Sequence, residues 1–182
     1  MSIANRQPAQ ILSELLVLQA QGGSDEALTQ IIDIWTPALK SRANRLTRDD
    51  EGTLEVLQET WIAIARSLRK LNDPARFGAW SFRIVHHKAA DWIKAQSKHR
   101  ARQTHIRDQA NDESDPSQDS GDEIRTAIGH LDPKLRDVVY LFYMDNCTLQ
   151  QVAVVLGIPE GTAKTRLARA RTQLKSMLEN NS

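Results

Sequence analysis

The sequence predicts an all-α chain built as two small helical domains joined by a flexible acidic linker. Three observations carry this. Apolar residues recur at helical spacing on both sides of the chain. Nothing in the N-terminal block alternates apolar and polar residues as a strand does. Between the two blocks lies RDQANDESDPSQDSGDE, Arg107 to Glu123, without a Leu, Ile, Val or aromatic residue. Such a segment cannot bury enough apolar surface to offset its ordering entropy. So long a structureless loop is unusual within one compact domain. The expected division is therefore residues 1–106, a linker over 107–123, and residues 124–182.

Composition narrows the class. Of 182 residues, 40% are apolar and 26% charged, as in ordinary soluble proteins. No apolar run approaches the roughly 18–20 residues of a membrane span. MSIANRQPAQILSELLVLQAQ lacks the compact apolar core and small-residue cleavage site of a secretory signal. A single cysteine, Cys147, excludes an internal disulfide framework. These features fit a cytoplasmic protein without membrane insertion. The net charge of +1 conceals blocks of +4 over 1–106, −6 over 107–123 and +3 over 124–182. Two basic blocks flanking an acidic one matter more for contact with a polyanion than the total does.

The elements follow in order. ILSELLVLQAQGG is a short helix closed by Gly22-Gly23. SDEALTQIIDIW opens with Ser24 as N-cap and early acids, as a helix start should. Pro37 kinks or ends that helix, or starts the next segment. Leu54, Leu57, Trp61, Ile64, Ala65 and Leu68 fall at helical spacing. RKLNDPARFG breaks the pattern, and a long helix follows with Trp80, Ile84, Val85, Ala89, Trp92 and Ile93 on one face. After the linker, one helix runs from about Asp122 to Gly129. Another starts at Pro133, a favourable first-turn residue. Its run VVYLFYM has strand propensity, but the helical signals around it favour helix. TLQQVAVVLG begins with the capping box Thr148-x-x-Gln151 and stops at Gly157. The last helix, PEGTAKTRLARARTQLKSML, has Pro159 at its first position.

Two short helices joined by a Gly-containing turn suggest a helix-turn-helix. With Lys164 at zero on a helical wheel, Ala163, Leu167, Ala170, Leu174, Met177 and Leu178 fall between about 220° and 320°, one apolar stripe. Thr165, Arg169 and Thr172 lie opposite. Lys164 and Arg166 flank them, and small Ala168 leaves room for close approach. Such a polar, basic face suits the major groove, where donors meet phosphates and base edges. Arg171 and Lys175 lie nearer the core edge and are expected to snorkel.

These residues resemble the C-terminal domain of extracytoplasmic-function sigma factors. The matching positions are Leu131, Pro133, Arg136, Val152-Ala153, Gly161-Thr162-Ala163-Lys164-Thr165-Arg166 and Arg169-Ala170-Arg171. Ala163 replaces the usual Val and Gln151 the usual Glu. The N-terminal half resembles the same family. EVLQETWIAIARSLRKL is similar to its Asp-x-x-Gln-Glu-x-Phe helix, with Glu55 for the Asp. FGAWSFRIVHHKAADWIK is similar to its Phe-x-x-Trp-Leu-x-x-Ile-Ala-x-Asn helix, with Ser81 for Leu and His87 for Asn.

The resemblance implies a sigma factor that binds core RNA polymerase, through the largest-subunit clamp and the flap, and promoter DNA. Many members are held by an anti-sigma factor. It implies polymerase binding by Glu55, Gln58, Glu59 and Trp61. It implies minus-ten recognition and melting by the loop RKLNDPARFG and the helix after it, with Arg76, Phe77, Trp80, Arg83, His87 and Lys88 as the candidate contacts, although Trp80 and Trp92 also belong to the apolar stripe. It implies minus-thirty-five recognition by Lys164, Thr165, Arg166, Ala168, Arg169 and Thr172. Lys94, Lys98, Arg100, Arg102 and Arg107 read as phosphate contacts. The acidic linker either mimics nucleic acid in polymerase channels or acts as a solubilising spacer.

The alternative is a stand-alone helix-turn-helix transcriptional regulator, which would leave the Glu55–Glu59 patch without a role. A helical protein–protein adaptor would show no salt-dependent DNA binding. His87 and Asp91, at i, i+4, could share a face, but neighbouring His86 points in another direction and no third ligand is evident. No nucleophile–base pair is evident either, so no metal, cofactor or intrinsic catalysis is expected. Cys147, just before the helix start at Thr148, reads as a passive packed or capping-region thiol rather than a redox group.

Overall fold

The computed structural model describes residues 8–103 and 120–179. They form helices, with no strand among the described residues. The chain divides into two compact units, Met1–Arg100 and Ala101–Ser182. Most of the expected linker, residues 107–119, lies outside the described residues. Its last residues belong to a helix that begins at Ser120.

The first unit contains α1 (Pro8–Gln21), α2 (Asp25–Thr47), α3 (Asp50–Ser67) and all but the last three residues of α4 (Phe77–Gln103). Short 3-10 turns at Leu68–Lys70 and Pro74–Arg76 join α3 to α4. Ser24 caps α2, its side chain accepting from Ala27 N, and Asp25 and Glu26 follow in the first turn. Asp49 caps α3 in the same way through Gly52 N. Each such cap satisfies a donor that the helix start leaves unbonded. Pro37 does not end α2 but sits inside it, exposed. At an exposed position the carbonyl that proline leaves unbonded has water for a partner, which makes the interruption tolerable.

The core of this unit gathers Val17, Ile31, Leu39, Val56, Ile64, Leu68, Phe77, Phe82, Val85 and Ala89. Two expected faces need correction. On α3, Leu54 is 58% exposed, whereas Val56, Leu57, Thr60 and Ile64 are buried. On α4, the buried side is Phe77, Ser81, Phe82, Val85 and Ala89, with Trp80, Ile84 and Trp92 half-buried and Ile93 exposed. Large apolar residues misplace that face, because the half-buried Trp80 and Trp92 weigh as much in the pattern as the truly buried Phe82. The fully buried Arg42 also belongs to this core.

The second unit contains α5 (Ser120–His130), α6 (Pro133–Val139), α7 (Leu149–Leu156) and α8 (Glu160–Glu179). The run VVYLFYM is helical as expected, but its second half, Tyr140–Met144, is a π-turn. Asp145 N returns to Tyr140 O at 3.0 Å, and Cys147 N to Leu141 O at 2.9 Å. Asn146, at φ 51°, reverses the chain there. Cys147 is buried, as expected of a packed thiol. Both halves of the Thr148/Gln151 capping box form. Gly157 closes α7 in the left-handed conformation, at φ 64° and ψ 36°, where glycine alone meets no Cβ penalty. Pro159 precedes α8 rather than opening it, and its carbonyl accepts Thr162 N and Ala163 N.

Two glycines in the first unit are steric necessities. A Cβ on Gly52 would lie 2.6 Å from Cε2 and 2.7 Å from Cη2 of Trp92. A Cβ on Gly78 would lie 2.7 Å from Cη2 of Trp35. Gly52→Ala should therefore displace the Trp92 ring and destabilise the unit by about 1–3 kcal/mol in urea unfolding. Adding Trp92→Ala should bring no further loss beyond that of Trp92→Ala alone. A Gly52→Ala variant of wild-type stability would contradict this packing.

Candidate nucleic-acid interface

The second unit presents its face through α8. Ala163, Leu167 and Ala170 are buried, and Leu174, Met177 and Leu178 are half-buried, which is the expected apolar stripe. Lys164, Thr165, Ala168, Arg169 and Thr172 are exposed, and Arg166 is half-buried on the shoulder. Thr165 Oγ1 donates to Gly161 O at 2.9 Å and Thr172 Oγ1 to Ala168 O at 3.2 Å. Their hydroxyl protons are thus committed to the backbone, and what they offer outward is a methyl group and an acceptor oxygen. The donors on this face are Lys164, Arg166 and Arg169. The turn before α8 is three residues, Gly157 to Pro159, as a helix-turn-helix requires.

Arg171 and Lys175 behave differently from each other. The guanidinium of Arg171 lies 5.8 Å from the Phe142 ring centroid and 5.6 Å from that of Tyr143, within cation–π range. Its Nε donates to Tyr143 Oη at 2.7 Å. Arg171 therefore ties α8 to the π-turn rather than merely snorkelling. Lys175 is exposed and pairs with Glu179 Oε1 at 3.6 Å, so the expected burial of its stem is not found.

In the first unit the candidate residues sit on α3, α4 and the turn between them. Glu55, Gln58 and Glu59 are exposed on one side of α3. Trp61 is half-buried, and its Nε1 donates to Thr36 Oγ1 at 3.1 Å; it packs α3 on α2. On α4, Arg83 and His87 are exposed, and Trp80 and Lys88 are half-buried. Arg76 is exposed and pairs with Asp73 at 3.3 Å. Lys94 and Lys98 are exposed, whereas the side chains of Arg100, Arg102 and Arg107 lie outside the described residues.

Phe77 is the clear correction. It is 1% exposed, packed edge-on against Trp35 at 5.3 Å and tilted against Trp80 at 5.9 Å. In this conformation it has no face to stack on a base, and it acts as the core anchor of α4. Trp35, for which the sequence suggested no role, is the hub of this cluster. It also meets Phe82 at 6.1 Å, and its Nε1 donates to Ser13 Oγ at 2.9 Å.

The structure brings the two candidate sets of this unit into contact. Lys88 Nζ lies 3.0 Å from Glu59 Oε2, and Trp92 Nε1 donates to Glu55 Oε2 at 2.9 Å. By sequence, Glu59 and Lys88 belong to separate tasks. No signal in a single sequence pairs residues 29 positions apart. Among the described residues, no group of three His, Cys, Asp or Glu side chains could hold a metal ion. No helix among them is long and apolar enough to cross a membrane.

Comparison with known families bears on both units. The family model for sigma-70 region 2 matches residues 31–99, and the model for sigma-70 region 4 matches residues 121–174. Together they cover more than half of the chain, in the order of the two units. The chain belongs to the extracytoplasmic-function group of the sigma-70 family. It is an RNA polymerase sigma factor, which binds core polymerase and directs promoter-specific initiation. Among relatives, it is 27% identical to the probable RNA polymerase sigma factor RfaY of Xanthomonas campestris pv. campestris over 87% of this chain; that match spans only 42% of the relative. It is 22% identical to the ECF sigma factor SigW of Bacillus subtilis, over 89% of this chain and 94% of the relative. Among solved structures, CnrH in complex with the cytosolic domain of CnrY aligns with a TM-score of 0.68 and 25% identity. That alignment covers 94% of this sigma factor and 99% of CnrH.

An exposed ion pair such as Glu59–Lys88 contributes little to folding. A double-mutant cycle of Glu59→Gln and Lys88→Met in urea unfolding should give a coupling of about 0.2–1 kcal/mol, shrinking with added salt. A salt-insensitive coupling of several kcal/mol would show instead that the pair supports the fold.

Proposed function

We propose that the two units divide promoter recognition between them, with residues 1–106 serving as region 2, 107–123 as the linker and 124–182 as region 4. In this reading α8 enters the major groove of the minus-thirty-five element. Lys164, Arg166 and Arg169 donate to phosphates and base edges, Thr165 and Thr172 make smaller contacts, and Ala168 allows close approach. The exposed donor face of α8, set behind a capped α7 and a left-handed Gly157 turn, is the observation that carries the proposal.

For the minus-ten element, the reading keeps Arg76, Trp80, Arg83, His87 and Lys88 as contacts and gives Phe77 a supporting role beneath them. A half-buried aromatic edge at Trp80 and cations along α4 supply the stacking and phosphate contacts that single-stranded DNA requires. Glu55, Gln58 and Glu59 form the polymerase-docking patch, where carboxylates suit arginines of a partner; Trp61 holds that helix in place. The apolar cleft lined by Ile124, Val139, Met144 and Leu174 is a surface for the polymerase flap. An anti-sigma factor is proposed as a further partner, supported by CnrH having been solved with the cytosolic domain of CnrY. The chain works in the cytoplasm and performs no catalysis of its own; the polymerase does the chemistry.

Two experiments test these assignments. Glu55→Lys with Glu59→Lys should abolish co-purification with core polymerase, and failure of the wild-type chain to bind core would sink the reading. Lys164→Ala with Arg169→Ala should weaken binding to the upstream element by about 1–3 kcal/mol for each base edge that is no longer read. Unchanged upstream binding in that double variant would show that α8 reads DNA through another face.

A further inference from the structure

Helix α1 carries none of the residues assigned to polymerase or DNA, yet its last residue reaches the turn that leads into α4. Gln21 Nε2 donates to two backbone carbonyls, Leu68 O at 2.9 Å and Leu71 O at 2.7 Å. A side-chain amide nitrogen carries two hydrogens, and both are used here. Leu68 O also accepts Leu71 N at 3.0 Å. One side chain therefore spans both ends of the 3-10 turn Leu68–Lys70.

The end of α1 is shaped for this contact. Gly22 N returns to Leu18 O at 3.1 Å, and Gly23 takes φ +100°, so the helix stops just after Gln21. A Cβ built on Gly23 would lie 3.9 Å from a terminal nitrogen of Arg69. That guanidinium thus sits at the carbonyl end of α1, where the helix dipole favours a cation. Arg69 and Lys70 are both exposed. Among the described residues neither pairs with a carboxylate. By contrast, Arg76 farther along the turn is partly neutralised by Asp73. Two exposed cations without a carboxylate partner, on a turn fixed from outside at both ends, suit a polyanion.

We propose that Gln21 is a positioning residue for promoter opening: it holds the Leu68–Leu71 turn so that Arg69 and Lys70 meet DNA phosphates beside the strand that α4 reads. The proposal rests on the assignment of α4 to the minus-ten element. Glutamate at position 21 has the same shape but cannot donate, and its carboxylate would face two carbonyl oxygens. Methionine fills the same space without charge or donor. Either change releases the turn while leaving the α3 docking patch untouched.

The test uses holoenzyme assembled from core polymerase and the full-length chain, on a promoter library randomised across the minus-ten region. Promoter opening is read by permanganate reactivity over a salt series. Gln21→Glu and Gln21→Met should each reduce opening about tenfold with core affinity unchanged. Each, like Arg69→Ala with Lys70→Ala, should flatten the log–log salt slope by about 1 for each phosphate no longer neutralised. A merely structural residue would lower core affinity and opening together and leave the salt slope alone. If the wild-type chain selects no minus-ten sequence, the underlying assignment of α4 fails. If it does select one, an unchanged salt slope in the Gln21 variants or the Arg69/Lys70 variant overturns the proposal, as does a parallel loss of core affinity.

Discussion

Indole rings seated on glycines hold the first unit together, and most of what it offers to partners depends on that. Trp35 fits over Gly78 and against Phe77 and Phe82; Trp92 fits over Gly52 and bonds to Glu55. Each contact joins two helices at a distance no other residue would allow. Trp35 fixes α2 to the start of α4, and Trp92 fixes the middle of α4 to the start of α3. The acidic patch on α3, proposed to dock on polymerase, and the α4 residues proposed to meet DNA are consequently parts of one packed body. The edge-to-face contacts of Trp35 with Phe77 and Phe82 contribute through their geometry as well as their buried area.

The second unit solves a different problem. Its last helix, α8, exposes small and basic residues on one side yet remains anchored on the other. Anchoring comes from Ala163, Leu167 and Ala170 near its start and from Arg171 farther along. Small buried residues let α8 approach its neighbours closely, and Arg171 reaches the aromatic pair Phe142 and Tyr143 that the π-turn presents. From that turn Tyr143 Oη accepts Arg171 Nε at 2.7 Å. Such π-turns often accompany functional surfaces. The five cations of α8 are therefore not one patch. Lys164 and Arg169 face outward, Arg166 is half-buried on the shoulder, Arg171 is structural, and Lys175 pairs within its own helix.

Much of this was legible in the sequence, for identifiable reasons. Caps at Ser24 and Thr148 and the stop at Gly157 are local, and local chemistry can be read locally. The α8 stripe emerged from the helical period because its inward residues differ sharply from its outward ones. Legibility failed where burial depended on distant partners. Leu54 looks like core but faces solvent, whereas Ser81 looks exposed and is buried, its hydroxyl satisfied by Gly78 O. Phe77 passed for a base-stacking residue because the ring of Trp35 that covers it comes from another helix. Pro37 left three outcomes open, and only its exposed setting decides among them. The bonds of Gln21 to a turn some fifty residues away leave no trace in its own neighbourhood.

The central claim is that one chain lends a polymerase two separate points of promoter recognition. In vitro transcription with core RNA polymerase on a genomic promoter library, with and without the chain, measures this directly. The account predicts start sites that require the chain and carry two sequence blocks at a constant spacing, one near minus ten and one near minus thirty-five. Start sites independent of the chain, or chain-dependent sites sharing only one block, would contradict it.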